Sequence, residues 1–213
     1  MGAAKTQKRG QEPRWPALLA IVTVGLVNTA LPGYLAIGPR WLLIAVVLAL
    51  EVPAMVLHRR GYHWVNQALG YAASGVITGF LGWSLALLIW RLPTHKDTPL
   101  EMLRAAAVMW PSNVLVFAMW YWRLDGGGPA GRDKLPGHTE GAFLFPQMNL
   151  DWTRGKWSPR FLDYLFLAFN TSTALSPTDT AILGRWAKVL VMTQASISLL
   201  IIILLAARAV NTL

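Results

Sequence analysis

The sequence contains no cysteine. That excludes disulfides, thiolate metal sites and a cysteine nucleophile. Charge is scarce as well: only 14% of the 213 residues are Asp, Glu, Lys or Arg, against about 25% in soluble domains. Histidine is rare, and His58, His63, His95 and His138 all fall in polar segments between apolar blocks. His58 and His63 have Arg59 and Arg60 between them. That spacing suits a loop facing lipid headgroups better than it suits a metal. No nucleophile stands beside a base, so no enzyme, metal site or cofactor is expected.

Apolar residues are what the chain has in excess, at 54%, with a mean hydropathy of +0.42. They lie in blocks long enough to cross a hydrocarbon core of about 30 Å. The expected fold class is therefore an all-α integral membrane protein, multi-pass, in a cell membrane. Spans are expected at Trp15–Tyr34, Trp41–Leu57, Gln67–Trp90, Ala105–Trp122 and Trp186–Val210. Trp15, Trp41, Trp64, Trp90, Trp122 and Trp186 mark their ends as an aromatic belt would. In the third span, Gly75 and Gly79 have the small-xxx-small spacing that lets helices of one chain approach closely.

The net charge is +9. No basic stripe interleaved with aromatics accompanies it, so the expected partner is the anionic bilayer surface and not nucleic acid. The start, "MGAAKTQKRGQEPRW", is basic. The block after it reads as a retained span, not a cleaved signal peptide. "MGAAKT" also fits a loose N-myristoylation pattern that works only in a eukaryotic host.

Composition divides the chain into residues 1–14, a basic segment; 15–100, three spans; and 101–213, a second unit. That unit holds an outer helix, a loop at 123–159 rich in Gly and Pro, a short apolar segment with a polar tail at 160–180, and a last span at 184–210. The short segment supports a helix of about fourteen residues, where a crossing needs about 20. Pro159 suits its first turn, and Ser176 and Pro177 stop it. Irregular backbone inside a membrane must be buried in protein or line water. A re-entrant helix is the expectation, with six full spans as the alternative.

Phe169 to Asp179 read F-N-T-S-T-A-L-S-P-T-D. This is similar to the pore loop of the potassium-channel superfamily, F-x-T-x-T-T-V-G-Y-G-D, with Phe169, Thr171, Thr173 and Asp179 matching. The following "LGR", Leu183 to Arg185, and the last span resemble that family's inner helix. The order of segments also resembles an uncharacterised family of bacterial membrane proteins with a channel-like C-terminal half. The resemblance covers the chain from the fourth span onward. It implies a pore module around an axis, a homotetramer, a bacterial inner membrane and ion transport. Thr171 and Thr173 through Asp179 would line its mouth. The sequence departs from the family at Ala174, Leu175, Ser176, Pro177 and Thr178, which replace T-V-G-Y-G. The family's glycines permit the backbone that stacks carbonyl rings, and Pro177 fixes its own φ. A standard potassium filter is excluded on that ground, leaving a wider hydroxyl-lined mouth or a plugged loop.

Polar residues inside apolar blocks complete the candidates. Glu51 falls deep in the second span, beside Pro53; it is either a proton or cation site or an Arg-paired residue. Asp179 is either a member of an acidic ring or, with Thr180, a cap on the last helix. Asp163 suits the first turn of the short helix. Thr193, Gln194, Ser196 and Ser198 put hydroxyl or amide groups on the first half of the last span; Thr193 and Ser196 share a face, and these groups either line a water-filled path or join packed helices. Asn113 reads as a packing hydrogen bond. Three functions follow: a cation channel-like protein, a non-conducting scaffold or subunit of a larger membrane complex, and a small proton-coupled transporter using Glu51. The channel-like arrangement puts Arg14 and Arg59 outside the cell, against the positive-inside rule.

Overall fold

A computed structural model describes residues 12–59, 62–91, 98–133, 141–153, 157–173 and 179–210. In these residues the chain is mostly helical. The elements are α1 (Trp15–Asn28), α2 (Leu42–Arg59), α3 (His63–Arg91), α4 (Pro99–Leu124), α5 (Gly128–Arg132), β1 (Phe143–Leu144), α6 (Pro146–Asn149), α7 (Phe161–Thr173), β2 (Ala181–Ile182) and α8 (Arg185–Val210).

Three helices, α3, α4 and α8, are long and apolar enough to cross a membrane. At 1.5 Å per residue α3 is about 43 Å long. The apolar helices α1 and α2 are shorter, 14 and 18 residues, or about 21 and 27 Å. The expected first span, Trp15–Tyr34, stops as a helix at Asn28. The Thr29 hydroxyl donates to the Leu26 carbonyl at 2.6 Å, and Pro32 then lacks the N–H a continuing helix would use. A 3₁₀ turn at Gly33–Leu35 follows. It buries Leu35 against α3, where the Ser84 hydroxyl donates to the Leu35 carbonyl at 2.9 Å.

α4 is the hub, packed against α1, α3, α7 and α8, while α2 and α3 form an antiparallel hairpin beside it. Its start is set by a capping box. Thr98 Oγ1 accepts from the Glu101 N–H at 3.3 Å, and Glu101 Oε2 accepts from the Thr98 N–H at 2.9 Å. Pro111 sits inside the helix, and the neighbouring Ser112 hydroxyl donates to the Val108 carbonyl.

The described residues between α4 and α7, in a region expected as a loop rich in Gly and Pro, are built against the helices. Gly126, Gly127 and Gly128 all have φ between +57° and +77°, a region open to glycine at no steric cost. A Cβ on Gly128 would also lie 2.7 Å from the Arg123 carbonyl oxygen. The turn leads into α5 and then to β1, which pairs antiparallel with β2 through Phe143↔Ile182 and Leu144↔Ala181. Phe143 lies between Tyr121, Tyr164 and Trp186, with ring centroids 5.1, 6.1 and 5.9 Å away. Phe145 packs on Tyr164 and Trp157.

Two expectations about small and aromatic residues are corrected. Gly75, Gly79 and Gly82 do not seat another helix of this chain among the described residues: a Cβ on any of them would meet nothing within 4 Å. The close approach on α3 is at Gly70, where a Cβ would fall 1.6 Å from an Arg123 guanidinium nitrogen. Of the tryptophans expected as a belt, Trp15, Trp41, Trp64, Trp90 and Trp186 are exposed near helix ends. Trp122 is buried, and its indole N–H donates to Glu12 Oε1 at 2.6 Å.

Candidate functional site

The short helix α7 is wedged between α4 and α8. Its 13 residues make about 20 Å of helix. Tyr164, Leu167, Ala168 and Ser172 face inward, while Leu162, Phe166 and Phe169 face out. Asp163 closes the N-terminal turn, its carboxylate accepting the Arg160 N–H at 2.7 Å. Phe169 packs edge-on against Trp110 of α4, with centroids 5.8 Å apart.

One side chain joins all three helices. Gln194 of α8 donates from Nε2 to the Ala168 carbonyl at 2.6 Å and to Ser172 Oγ at 2.7 Å. Its Oε1 accepts from the Tyr121 hydroxyl of α4 at 2.5 Å. Asn113 of α4 donates to the Gln194 carbonyl at 3.1 Å and to Ser198 Oγ at 2.8 Å. Asn113, Tyr121, Ser172, Gln194 and Ser198 are all buried. The packing role expected for Asn113 is therefore what the fold uses.

A second buried network holds the start of α7. The Asp125 carboxylate accepts from the Tyr164 hydroxyl and from the Ala142 N–H, each at 2.6 Å. Arg132 donates to the Trp122 carbonyl at 2.8 Å and to the Asp125 carbonyl at 2.7 Å. Its other terminal nitrogen meets Glu12 Oε2 at 3.0 Å. Thus α4, α5, β1, α7 and the residues before α1 converge at one end of the bundle. Nothing in the spacing of Glu12, Asp125 and Arg132 announces this network. For the network around Gln194 the sequence signals are polar residues inside apolar surroundings: Asn113 in "WPSNVL", Tyr121 in "AMWYWR" and Gln194 in "VMTQAS".

The residues singled out from sequence are distributed around this frame. Thr171 and Thr173 lie half-buried on the last turn of α7. Their hydroxyls donate to helix carbonyls, Leu167 at 2.9 Å and Asn170 at 3.0 Å. Ala174, Leu175, Ser176, Pro177 and Thr178 lie outside the described residues. Asp179 is exposed and Thr180 buried. Neither caps the last helix, because α8 begins at Arg185 with β2 between. β2 is anchored instead to β1, with the Leu183 N–H donating to the Ala142 carbonyl at 2.7 Å. A Cβ on Gly184 would stand 2.6 Å from Ala142 Cβ, so glycine allows that close crossing.

Thr193 and Ser196 are exposed on α8, away from α4 and α7. Thr193 donates to the Val189 carbonyl of its own helix. Neither joins helices of this chain; Gln194 and Ser198 do. Glu51 is buried and Arg-paired: Arg123 donates to its Oε1 at 2.8 Å. Among the described residues no three His, Asp or Glu side chains gather as metal ligands. Comparison with family models, curated proteins and solved structures finds no match to this chain.

Proposed function

We propose that the chain is a multi-pass membrane protein whose residues 101–213 form a pore-type module, four copies of which surround a cation pathway with a non-standard mouth at residues 171–179. The observation that carries this reading is α7. A helix too short to cross is held between two crossing-length helices by a buried Gln194 amide, and its C-terminal turn carries Thr171 and Thr173. The exposed surface adds support. Leu19, Val52, Trp83, Leu199, Leu200, Ile202 and Ile203 are all exposed, a surface suited to acyl chains. Thr193 and Ser196 lie on the uncovered face of α8, where an inner path needs them.

Charge supports an orientation opposite to that implied by the channel superfamily. The end carrying the α7 and α8 N-termini also carries Arg14, Arg123, Arg132, Arg160, Arg185 and Lys188. The other end carries Arg40, Arg91 and Arg104. The positive-inside rule then faces the mouth toward the cytoplasm. Because the chain has no native cysteine, a single cysteine at Trp152 tests this directly with a membrane-impermeant thiol reagent on whole cells. Labelling without lysis would sink the inverted orientation.

The test of function is electron microscopy in lipid nanodiscs, followed by cation flux in proteoliposomes. Fourfold particles with α7 around the axis, and flux lowered by Asp179→Asn, are expected. A monomer without flux would favour the scaffold reading, which the broad uncovered apolar face of α8 also accommodates. The Glu51 transporter is disfavoured, because an ion pair with Arg123 occupies one carboxylate oxygen.

A further inference from the structure

The bundle end that holds Arg123 also contains a cavity of about 100 Å³, between α1, α2, the start of α3, the end of α4 and α5. Its polar lining is Arg14, Glu51, Asn66, Gln67 and Arg123, and its apolar lining includes Leu18, Met55 and Trp122. The volume exceeds the roughly 10–15 Å³ that one water needs on this measure, so it has room for a group larger than a water.

The Arg123 guanidinium is built into this cavity. It lies over Gly70, whose missing side chain makes room for it. One terminal nitrogen meets Glu51 at 2.8 Å. The guanidinium lines the cavity beside that carboxylate, and an anionic oxygen is the acceptor a guanidinium takes best. Arg14 is a second cation of the lining. It lies 4.0 Å from Asp133, and an Nη1 N–H donates to the Asn66 amide oxygen at 3.1 Å when that amide is oriented to donate to the Ala54 carbonyl. Glu51 faces Arg123 and Asp133 faces Arg14, so little positive charge is left over for a ligand. That matches a singly charged phosphodiester better than a doubly charged phosphate.

The surroundings identify the source of such a group. Trp15, Tyr62 and Trp64 are exposed at this end, the depth at which aromatic residues meet headgroups. Leu19, Val52 and Met55 are exposed on α1 and α2 beside the cavity and offer an apolar track for a chain. We propose that the cavity binds the headgroup phosphodiester of an anionic membrane phospholipid, with Arg123 and Arg14 toward the phosphate and Leu18, Met55 and Trp122 against the glycerol and first methylenes. This rests on membrane embedding and not on conduction.

The test is native mass spectrometry of the detergent-solubilised chain with phosphatidylglycerol or phosphatidylcholine. Retention of one phosphatidylglycerol in preference to phosphatidylcholine is expected. Arg14→Gln should weaken it about fivefold, the effect of one cation near a headgroup. Ala130→Trp, which places a large ring in the cavity wall, should abolish it. Glu51→Gln should tighten it, because the carboxylate competes for Arg123; a purely structural ion pair gives no such gain. Equal retention of the two lipids, or retention unchanged by Arg14→Gln and Ala130→Trp, would overturn the proposal. So would inorganic phosphate raising the unfolding temperature as much as phosphatidylglycerol, since the ligand would then be a soluble anion. Release of the chain from membranes by alkaline carbonate alone is a separate result and would sink the embedding itself.

Discussion

Gln194 Nε2 and Ser172 Oγ stand 2.7 Å apart in the buried seam between α8 and α7. That contact, with the Ala168 carbonyl and the Tyr121 hydroxyl on the same amide, fixes the depth at which the short helix sits. Buried side-chain bonds between membrane helices contribute about 0.6 kcal/mol each on average and about 1.7 at most. Gln194→Leu removes three and leaves the buried Tyr121 hydroxyl without its partner. A loss of about 2–4 kcal/mol is expected in denaturant titration of the detergent-solubilised protein. Thr193→Val, one residue away on the exposed face, should change stability by less than about 0.5 kcal/mol. Equal losses would remove Gln194 from its role.

Gly70 and Gly79 should respond to alanine with opposite signs. At Gly70 the new Cβ falls on the Arg123 guanidinium, which must shift within its pairing with Glu51, a loss of about 1–3 kcal/mol. At Gly79 the Cβ meets nothing, and alanine should raise stability by about 0.5–1 kcal/mol through helix propensity. Thermal unfolding of the two variants side by side distinguishes them. A Gly79→Ala variant less stable than the parent would mean that a neighbouring copy packs on that stripe.

The Glu12–Arg132 pair has side chains only 7% and 1% exposed. Arg132→Met strips the partner from Glu12 and two donors from backbone carbonyls. A loss of about 3–5 kcal/mol is expected. Glu12→Gln keeps an acceptor for Trp122 and should cost less. Limited proteolysis should then cut before α1 in both variants but before α7 only in Arg132→Met, because Arg132 alone also orders Asp125. Identical cleavage would separate the two halves of the network.

Phe143→Ala removes the ring that Tyr121, Tyr164 and Trp186 enclose. A loss of about 3–5 kcal/mol is expected for a buried phenylalanine, with faster proteolysis between α5 and α7. Trp152→Ala, at a largely exposed site, serves as the control and should leave both unchanged.

The helices were legible because hydrophobicity has a length scale. The blocks that became α3, α4 and α8 read as spans within a few residues, and the short block at Phe161 read as a helix too brief to cross. Its cap at Asp163 was legible too, since a carboxylate three residues past Arg160 is a local relation. The described part of the segment from 123 to 159 was not. Its order comes from Phe143 and Phe145 filling gaps between α4, α7 and α8, and a turn-rich sequence carries no mark of a gap elsewhere. The stripe of Gly75 and Gly79 misled because small residues show only that helices are able to approach, not that they do.

The sequence by itself determined the elements: long apolar helices, one short helix with a polar end, and basic residues concentrated near the segments that join them. Those follow from periodicity, caps and the transfer energy of side chains, which are properties of a chain read a few residues at a time. Only the tertiary structure decided the pairings. Glu51 met Arg123 across 72 positions, and Glu12 met Arg132 across 120. Gln194, not Thr193 or Ser196, became the buried tie, because helix rotation relative to α4 and α7 is set by packing. One hundred degrees of rotation per residue separates a buried amide from an exposed hydroxyl.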